Sequence, residues 1–93
     1  MRVRWLDQAV QDLKSLRTHI ARDHPAAAAE IARRIRETVR ILSDFRAAGR
    51  VGRVPDTREV VVSGTPYILP YRINGHMVEI LRVLHAAQKW PDR

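Results

Sequence analysis

The sequence feature that most constrains the fold is a hairpin signal at Asn74-Gly75, which separates two apolar segments. These segments are residues 67–73, YILPYRI, and residues 76–84, HMVEILRVL. Asn-Gly is typical of a two-residue type I′ turn, because both positions of that turn need positive φ. The pair therefore predicts two antiparallel strands, with Ile73 directly opposite His76.

A two-residue loop also predicts which side chains share a face of the sheet. The first face carries Tyr67, Leu69, Tyr71, Ile73, Val78, Ile80 and Leu84, with Arg82 near its end. The second face carries Ile68, Pro70, Arg72, Met77, Glu79, Leu81, Val83 and His85. Because the first face is the more apolar, we expect it to pack against helices, while Arg72 and Glu79 pair diagonally on the second.

The first half of the chain predicts one short strand and two helices. Residues 1–5 alternate with period two, and residues 6–20 then follow helical spacing with Asp7 as the N-cap. Pro25 is tolerated in a first helical turn, so it predicts the start of a second helix, and Gly49 marks its stop. The apolar stripe of that helix contains Ala28, Ile31, Ile35, Thr38 or Val39, Leu42 and Phe45.

The complete element order is β-α-α-β-β-β, because residues 58–63 read as a further strand before the hairpin. This order predicts an α+β fold in which a helical hairpin packs on one face of a small antiparallel sheet. We expect a single domain that spans residues 1–93. Pro70 has no amide donor, so it predicts a bulge or an edge where strand pairing stops.

The second sheet face combines an ion pair with aliphatic side chains, a mixture poorly suited to open water. A partner protein that covers this face is one interpretation. The C-terminal tail, folding back with its tryptophan as a plug, is the other, and both stay open. The candidate partner-binding residues are Ile68, Arg72, Glu79, Leu81 and Trp90.

The composition bears on partners and compartment. The 17 basic residues against 10 acidic ones give a net charge of +7, and most of the basic residues are arginine, whose planar fork suits phosphate and carboxylate. A nucleic acid or acidic protein partner is one interpretation, and a solvated basic surface is the other. There is no cysteine and no apolar segment long enough for a signal peptide or membrane span, so we expect a cytoplasmic protein. No histidine shows metal-site spacing, and we expect neither metal nor cofactor.

Residues 53–91 resemble the C-terminal half of the RelE/ParE toxins of bacterial type II toxin–antitoxin modules. The resemblance rests on the basic loop before Arg58-Glu59, the strand containing Tyr67 and Tyr71-Arg72, the short turn, and residues 80–85, ILRVLH, before a Trp-Pro tail. The two preceding helices and the overall length agree as well. The resemblance implies a cognate antitoxin that silences the toxin and brings it to operator DNA, where the complex represses its own operon.

The resemblance implies one of two activities. RelE-like members cleave mRNA on the ribosome, whereas ParE-like members inhibit DNA gyrase and are not nucleases. Metal-free RNA cleavage needs a base, an acid and converging cations, and the candidates for these roles are Arg58, Arg82 and His85. In RelE-like nucleases an arginine typically follows the position of Tyr67, and here Ile68 stands there.

The last strand is also followed by alanines where nucleases often carry basic residues, at Ala86 and Ala87. RNA cleavage requires several cations that stabilise the negative charge of the phosphorane. Because this set of cations is incomplete here, the sequence favours gyrase inhibition over RNA cleavage. A ribosome-dependent mRNA endoribonuclease is the alternative. A third interpretation is a degenerate toxin that retains only antitoxin binding and operon co-repression.

Overall fold

Two helices cover one face of a six-stranded sheet in the computed structural model, which describes residues 1–91. The elements in chain order are β1 (Arg2–Trp5), α1 (Asp7–Ala21), α2 (Pro25–Asp44), β2 (Arg50–Val51), β3 (Arg58–Val61), β4 (Tyr67–Asn74), β5 (Met77–Ile80) and β6 (Leu84–His85). The predicted α+β class is confirmed, with two additional two-residue strands. Residues 92 and 93 of the predicted domain lie outside the described residues.

The sheet is mixed rather than wholly antiparallel. Its order is β1-β5-β4-β3-β2, and β6 extends the line of β5 to pair with β4. β1 runs parallel to β5, with Val3 beside Val78. A tight hairpin forces antiparallel pairing, but β1 and β5 are joined through the helices and three further strands, so their connection leaves the direction free.

Both helix starts follow from local chemistry. Pro25 occupies the first turn of α2, as predicted. The predicted N-cap at Asp7 is wrong, because Leu6 is the capping residue and Asp7 lies in the first helical turn. A carboxylate there still stabilises the helix, since it faces the positive end of the helix dipole.

The end of α2 differs from the prediction because tertiary contacts redirect the chain. The helix ends at Asp44, five residues before Gly49, and Phe45 is 67% exposed rather than part of the apolar stripe. The following segment turns over the buried ring of Tyr71, whose hydroxyl donates to Arg46 O at 2.7 Å and accepts from Gly49 N at 2.9 Å. A β-carbon at Gly49 would lie 2.7 Å from that hydroxyl, so the close approach requires glycine.

The β4–β5 hairpin is shifted by one residue along each strand. Asn74 is paired with Met77, so Gly75 and His76 form the loop, and Asn74 itself lacks positive φ. Positive φ at Gly75 alone is typical of a type II′ turn rather than the predicted type I′. The shift preserves the alternation of side chains, but it places Arg72 directly opposite Glu79 instead of diagonally.

A bulge between β5 and β6 overturns the predicted faces of the last residues. Leu81 N donates to Pro70 O at 2.9 Å, and the next paired residue is Leu84, which lies opposite Ile68. One extra residue in this strand reverses the alternation, so His85 joins the helix-side face of Tyr67 and Leu84 leaves it. Pro70 was predicted to mark a bulge or an edge; the structure has a bulge, which lies on the partner strand directly after the residue that bonds Pro70 O.

The core lies between the helices and the sheet. Its buried residues come from both layers: Ala9, Ile35, Val39, Leu42, Val62, Leu69, Tyr71, Val78, Ile80 and Val83. Val83 was predicted on the opposite face, and the bulge is what turns it inward. Within residues 1–91, no helix combines the length and the apolar character needed to cross a membrane.

Candidate partner-binding face

The sheet face turned away from the helices, which we call the open face, is organised around two glutamates. Its charged strand residues are Arg2, Arg4, Arg50, Glu59, Arg72 and Glu79. Arg4, Glu79 and Arg72 stand side by side on β1, β5 and β4. Arg72 Nε donates to Glu79 Oε1 at 2.6 Å, and Arg4 Nη1 lies 3.8 Å from Oε2, too far for a hydrogen bond.

Glu59 forms the second centre, two strands away. Its Oε2 accepts a bond from the backbone N of Arg53 at 2.9 Å, and its Oε1 accepts one from Arg53 Nε at 3.2 Å. Arg50 Nη2 lies 3.5 Å from Oε1. The loop between β2 and β3 is therefore tied to the sheet through one carboxylate.

Both carboxyl groups have lowered pKa values. Burial acts to raise the pKa of Glu59, but the hydrogen bonds from Arg53 and the charges of Arg53 and Arg50 outweigh it. The hydrogen bond from Arg72 is the main cause that lowers the pKa of Glu79, assisted by the charges of Arg72 and Arg4. The two glutamates therefore stay ionised at neutral pH and keep their arginines in place.

The arginines of these clusters remain available to a ligand. The side chains of Glu59 and Glu79 are 1% and 5% exposed, whereas those of Arg50 and Arg4 are each 65% exposed. Arg53 and Arg72 are partly exposed as well. Four guanidinium groups thus share two carboxylates, and the surplus positive charge suits carboxylate or phosphate ligands.

The aliphatic part of the open face is covered by the chain itself. Ile68 is buried, and Leu81 is half-buried. The tail crosses from the sheet to the β2–β3 loop, where Arg53 Nη1 donates to Gln88 O at 3.4 Å. Trp90 is half-buried with its ring centroid 5.7 Å from the Arg82 guanidinium carbon. A tail folded back over the sheet was one of the two interpretations of this face.

The three residues proposed for nuclease chemistry are not brought together. Arg58 Nη1 donates to Gly49 O at 2.8 Å, at one end of the sheet. Arg58 is paired with Tyr71 on β4, whereas His85 is paired with Tyr67 on the same strand. Tyr71 and Tyr67 are four residues apart, which places Arg58 and His85 roughly 13 Å apart along the strand direction. Arg82 lies in the bulge and binds the carboxylate of Asp12 through Nε and Nη2, at 2.7 and 3.2 Å.

His85 instead lines a shallow cavity between α1 and β6. The cavity has a volume of about 270 Å³, and its lining includes Asp12, Ser15, His19, Tyr67 and His85. The rings of Tyr67 and His85 meet edge to face at 5.6 Å, and His85 Nδ1 accepts a bond from Ala87 N at 3.1 Å. The Asp12 carboxylate is committed to Arg82 and to Val83 N, so it does not orient the imidazole.

The sequence pattern missed the contributions of Arg4, Arg50, Arg53 and Glu59 to the open face. The alternation in residues 1–5 does place Arg2 and Arg4 on one side, but no local signal says that β1 pairs with β5. Asp12 was missed for the same reason, since its partner Arg82 lies 70 residues away. Within residues 1–91, no three His, Cys, Asp or Glu side chains converge as metal ligands.

Comparison with known proteins gives consistent matches over almost the whole chain. Residues 3–90 match the family model described as the ParE toxin of the type II toxin–antitoxin system parDE. The candidate toxin Y4kP of Sinorhizobium fredii is 46% identical over 91 residues, which cover 98% of this chain and 94% of that protein. Toxin RelE2 of Caulobacter vibrioides is 32% identical over 84 residues, covering 90% and 93%. A solved structure of a chromosomal ParDE system from P. aeruginosa superposes with a TM-score of 0.82 at 28% identity, covering 91% of this chain and 95% of that one.

Proposed function

This chain belongs to the ParE toxin family of type II toxin–antitoxin systems, and from that premise we propose that it arrests growth by inhibiting DNA gyrase. A cognate antitoxin neutralises it and carries it to operator DNA. The action on gyrase takes place in the cytoplasm and requires neither metal nor cofactor. In this proposal the protein acts by binding rather than by catalysis.

One observation carries the choice of gyrase over RNA. The two arginines that would stabilise a phosphorane are engaged elsewhere: Arg82 with Asp12, and Arg58 with Gly49 O. Among residues 1–91, no guanidinium lines the cavity of His85, the remaining acid–base candidate. A nuclease needs these groups around one scissile phosphate, and removing one positioned donor from such a site typically costs about a hundredfold in rate.

The test is a paired assay on one preparation of the purified protein. Gyrase supercoiling is measured in one arm, and translation-coupled mRNA cleavage in the other. We expect loss of supercoiling or trapped cleaved DNA, with intact mRNA. Ribosome-dependent cuts with normal supercoiling would transfer the assignment to the RelE-like activity.

The RelE-like activity is retained as the second candidate because of two observations. Toxin RelE2 is among the relatives, and Tyr67 and His85 are in contact beside a cavity open to solvent. Arg58, Arg82 and His85 are the residues that such an activity would use. A third candidate, a degenerate toxin, predicts normal growth after induction without antitoxin, with soluble protein in the cells.

We propose the open face and the adjoining tail as the contact surface for the antitoxin. Of the predicted residues, Arg72, Leu81 and Trp90 reach the surface and would contact the antitoxin, whereas Ile68 and Glu79 are buried and would support that surface from beneath. The partly exposed Leu81 offers the sharpest test, because Leu81→Asp places a charge beside the Arg72–Glu79 pair. We expect a weaker complex with the antitoxin and an unchanged fold by circular dichroism.

The matched control is Ile41→Asp, which alters an equally aliphatic residue exposed on α2. It is expected to leave the affinity for the antitoxin within about twofold, since isolated surface residues contribute little. Equal affinities of both variants and the wild type would place the antitoxin on another surface.

A further inference from the structure

The solvent side of α1 carries a cluster of cations, which we call the α1 basic face. It consists of Lys14, Arg17 and Arg22, together with the hydroxyl residues Ser15 and Thr18, and all five residues are exposed. Lys14 and Thr18 line two adjoining shallow cavities, with volumes of about 510 and 320 Å³. No carboxylate of residues 1–91 lines either cavity, so the surface between these side chains is wholly basic.

The ion pairs of the other arginines show what is particular about this face. Three arginines of α2 are paired with glutamates of the same helix, and those of the open face share two further glutamates. In the part of the chain that the structure describes, no carboxylate pairs with any of the three cations of the α1 basic face. Their positive charge is therefore uncompensated, and it attracts an anionic ligand.

The length of the face matches the spacing of phosphates in DNA. Lys14 and Arg22 are separated along α1 by about 12 Å, since each helical residue advances the chain by about 1.5 Å. One strand of B-DNA carries a phosphate about every 3.4 Å along its axis, so about three or four phosphates lie within that length. Serine and threonine hydroxyls join lysine and arginine in backbone contacts of this kind. The α1 basic face supplies both kinds of donor.

The apolar content of the face distinguishes DNA from an acidic protein as its ligand. Protein interfaces derive most of their binding energy from large apolar or aromatic side chains at their centre. The large exposed apolar side chains of residues 1–91, such as Phe45 and Val51, lie outside the α1 basic face. The apolar residues that line its larger cavity are small, among them Ala21 and Ala29. Backbone phosphates require only cations and hydrogen-bond donors, so DNA is the better match.

We propose that the α1 basic face binds the backbone of the DNA that gyrase holds while the toxin inhibits it. Contacts to phosphates carry no sequence information, so they suit DNA held by an enzyme that acts along a whole chromosome better than a single operator. The helices cover the sheet face opposite to the open face, so the two surfaces lie on different sides of the molecule. This inference rests on the proposed inhibition of gyrase, and it adds DNA as a second contact of the toxin.

A DNA-binding assay on the full chain tests the role of these charges. Fluorescence anisotropy with a labelled duplex of arbitrary sequence measures affinity over a range of salt concentrations. The double variant Lys14→Glu, Arg17→Glu is expected to bind at least about tenfold more weakly, and its plot of log affinity against log salt concentration should be shallower by about two. The matched control Arg36→Glu, Arg46→Glu changes the net charge equally, at exposed residues that line neither cavity. Equal losses in the two double variants overturn the inference, because net charge alone would then explain the binding.

Gyrase assays with the same proteins test the source of the DNA. The wild type and the control are expected to inhibit supercoiling at the same concentration, whereas Lys14→Glu, Arg17→Glu should need at least about tenfold more protein. Lys14→Gln, Arg17→Gln, which removes the charges without adding carboxylates to α1, should show a smaller loss in the same direction, and circular dichroism checks that each variant is folded. Inhibition by the glutamate variant at the wild-type concentration overturns the inference and leaves the proposed function intact. Failure of the wild type to inhibit gyrase overturns both.

Two other results would assign the α1 basic face to a different ligand and so overturn the inference. If the glutamate variant binds gyrase more weakly in the absence of DNA, the face contacts the enzyme itself. If the variant inhibits gyrase normally but its complex with the antitoxin binds operator DNA more weakly, the face contacts the operator. Both measurements use the same double variant beside the same control.

Discussion

Asp12 of α1 and Arg82 of the β5–β6 bulge form a bidentate ion pair, with Nε–Oδ2 and Nη2–Oδ1 distances of 2.7 and 3.2 Å. The same carboxylate accepts the Val83 amide at 3.0 Å. A single acidic residue therefore holds the segment where the strand leaves its ladder. The position of Trp90 also depends on this pair, because its ring lies over the same guanidinium.

Asp12→Ala is expected to lower the free energy of unfolding by about 2–3 kcal/mol. It removes the carboxylate that binds the largely buried guanidinium of Arg82 and the backbone N–H of Val83, a loss somewhat smaller than for a fully buried pair. Urea unfolding followed by circular dichroism measures the change. Asp23→Ala, in the exposed turn between the helices, is the control and should stay within about 0.5 kcal/mol of the wild type. Similar values for the two variants would mean that the ion pair does not stabilise the bulge.

Tyr71→Phe is expected to cost about 1–3 kcal/mol. It removes a buried hydroxyl and leaves Gly49 N–H and Arg46 O unpaired beneath the segment that follows α2. Tyr67→Phe is a matched control, because no hydrogen bond from residues 1–91 holds the hydroxyl of Tyr67. Thermal unfolding of both variants gives the comparison, and a Tyr67 variant that loses as much stability as the Tyr71 variant would contradict it.

The lowered pKa of Glu59 predicts a loss of stability in acid. A carboxyl group whose pKa is lower in the folded state stabilises the protein fully above its unfolded pKa, about 4.3 for glutamate. That contribution disappears as the pH falls through the folded pKa, so the wild type should lose more stability than Glu59→Gln below about pH 4.3. Urea midpoints between pH 2 and pH 7 check this. If stability falls with pH by the same amount in both proteins, the interactions of Arg53 with Glu59 do not depend on the negative charge of Glu59.

His85→Ala is expected to retain full growth inhibition. The imidazole accepts a bond from Ala87 through Nδ1, which leaves only Nε2 for acid–base chemistry, and no arginine of the described residues lines its cavity. Growth after induction without antitoxin measures the effect, and His76→Ala in the hairpin turn controls for the loss of an exposed imidazole. A folded His85 variant that no longer inhibits growth, beside an active His76 variant, would restore the catalytic role.

The candidate site shows where sequence reasoning reached its limit. Arg72 and Glu79 were predicted to pair because the hairpin joins their strands within a few residues. Arg4 lies beside Glu79 in the same row across the sheet, but only because β1 pairs with β5, which is distant in the sequence. His85 was predicted on the wrong face, since the one extra residue that reverses its direction leaves no periodic signal in an apolar strand.

The sequence by itself determined the two helices, four of the six strands and the order of these elements, because hydrophobic periodicity, Pro25 and the Asn74-Gly75 region act over a few residues. It also determined which side chains of β4 and β5 face the core, since a shift of one residue on each strand preserves their alternation. Tertiary structure decided the parallel pairing of β1, the end of α2 over Tyr71 and the bulge held by Asp12. Each of these features depends on contacts between residues about 20 to 75 positions apart in the sequence. Local sequence patterns carry no information about the energies of such distant contacts. The edge position of β1 belongs to this second group: its sequence predicts a strand, and only the sheet order of the described residues makes that strand the terminal one.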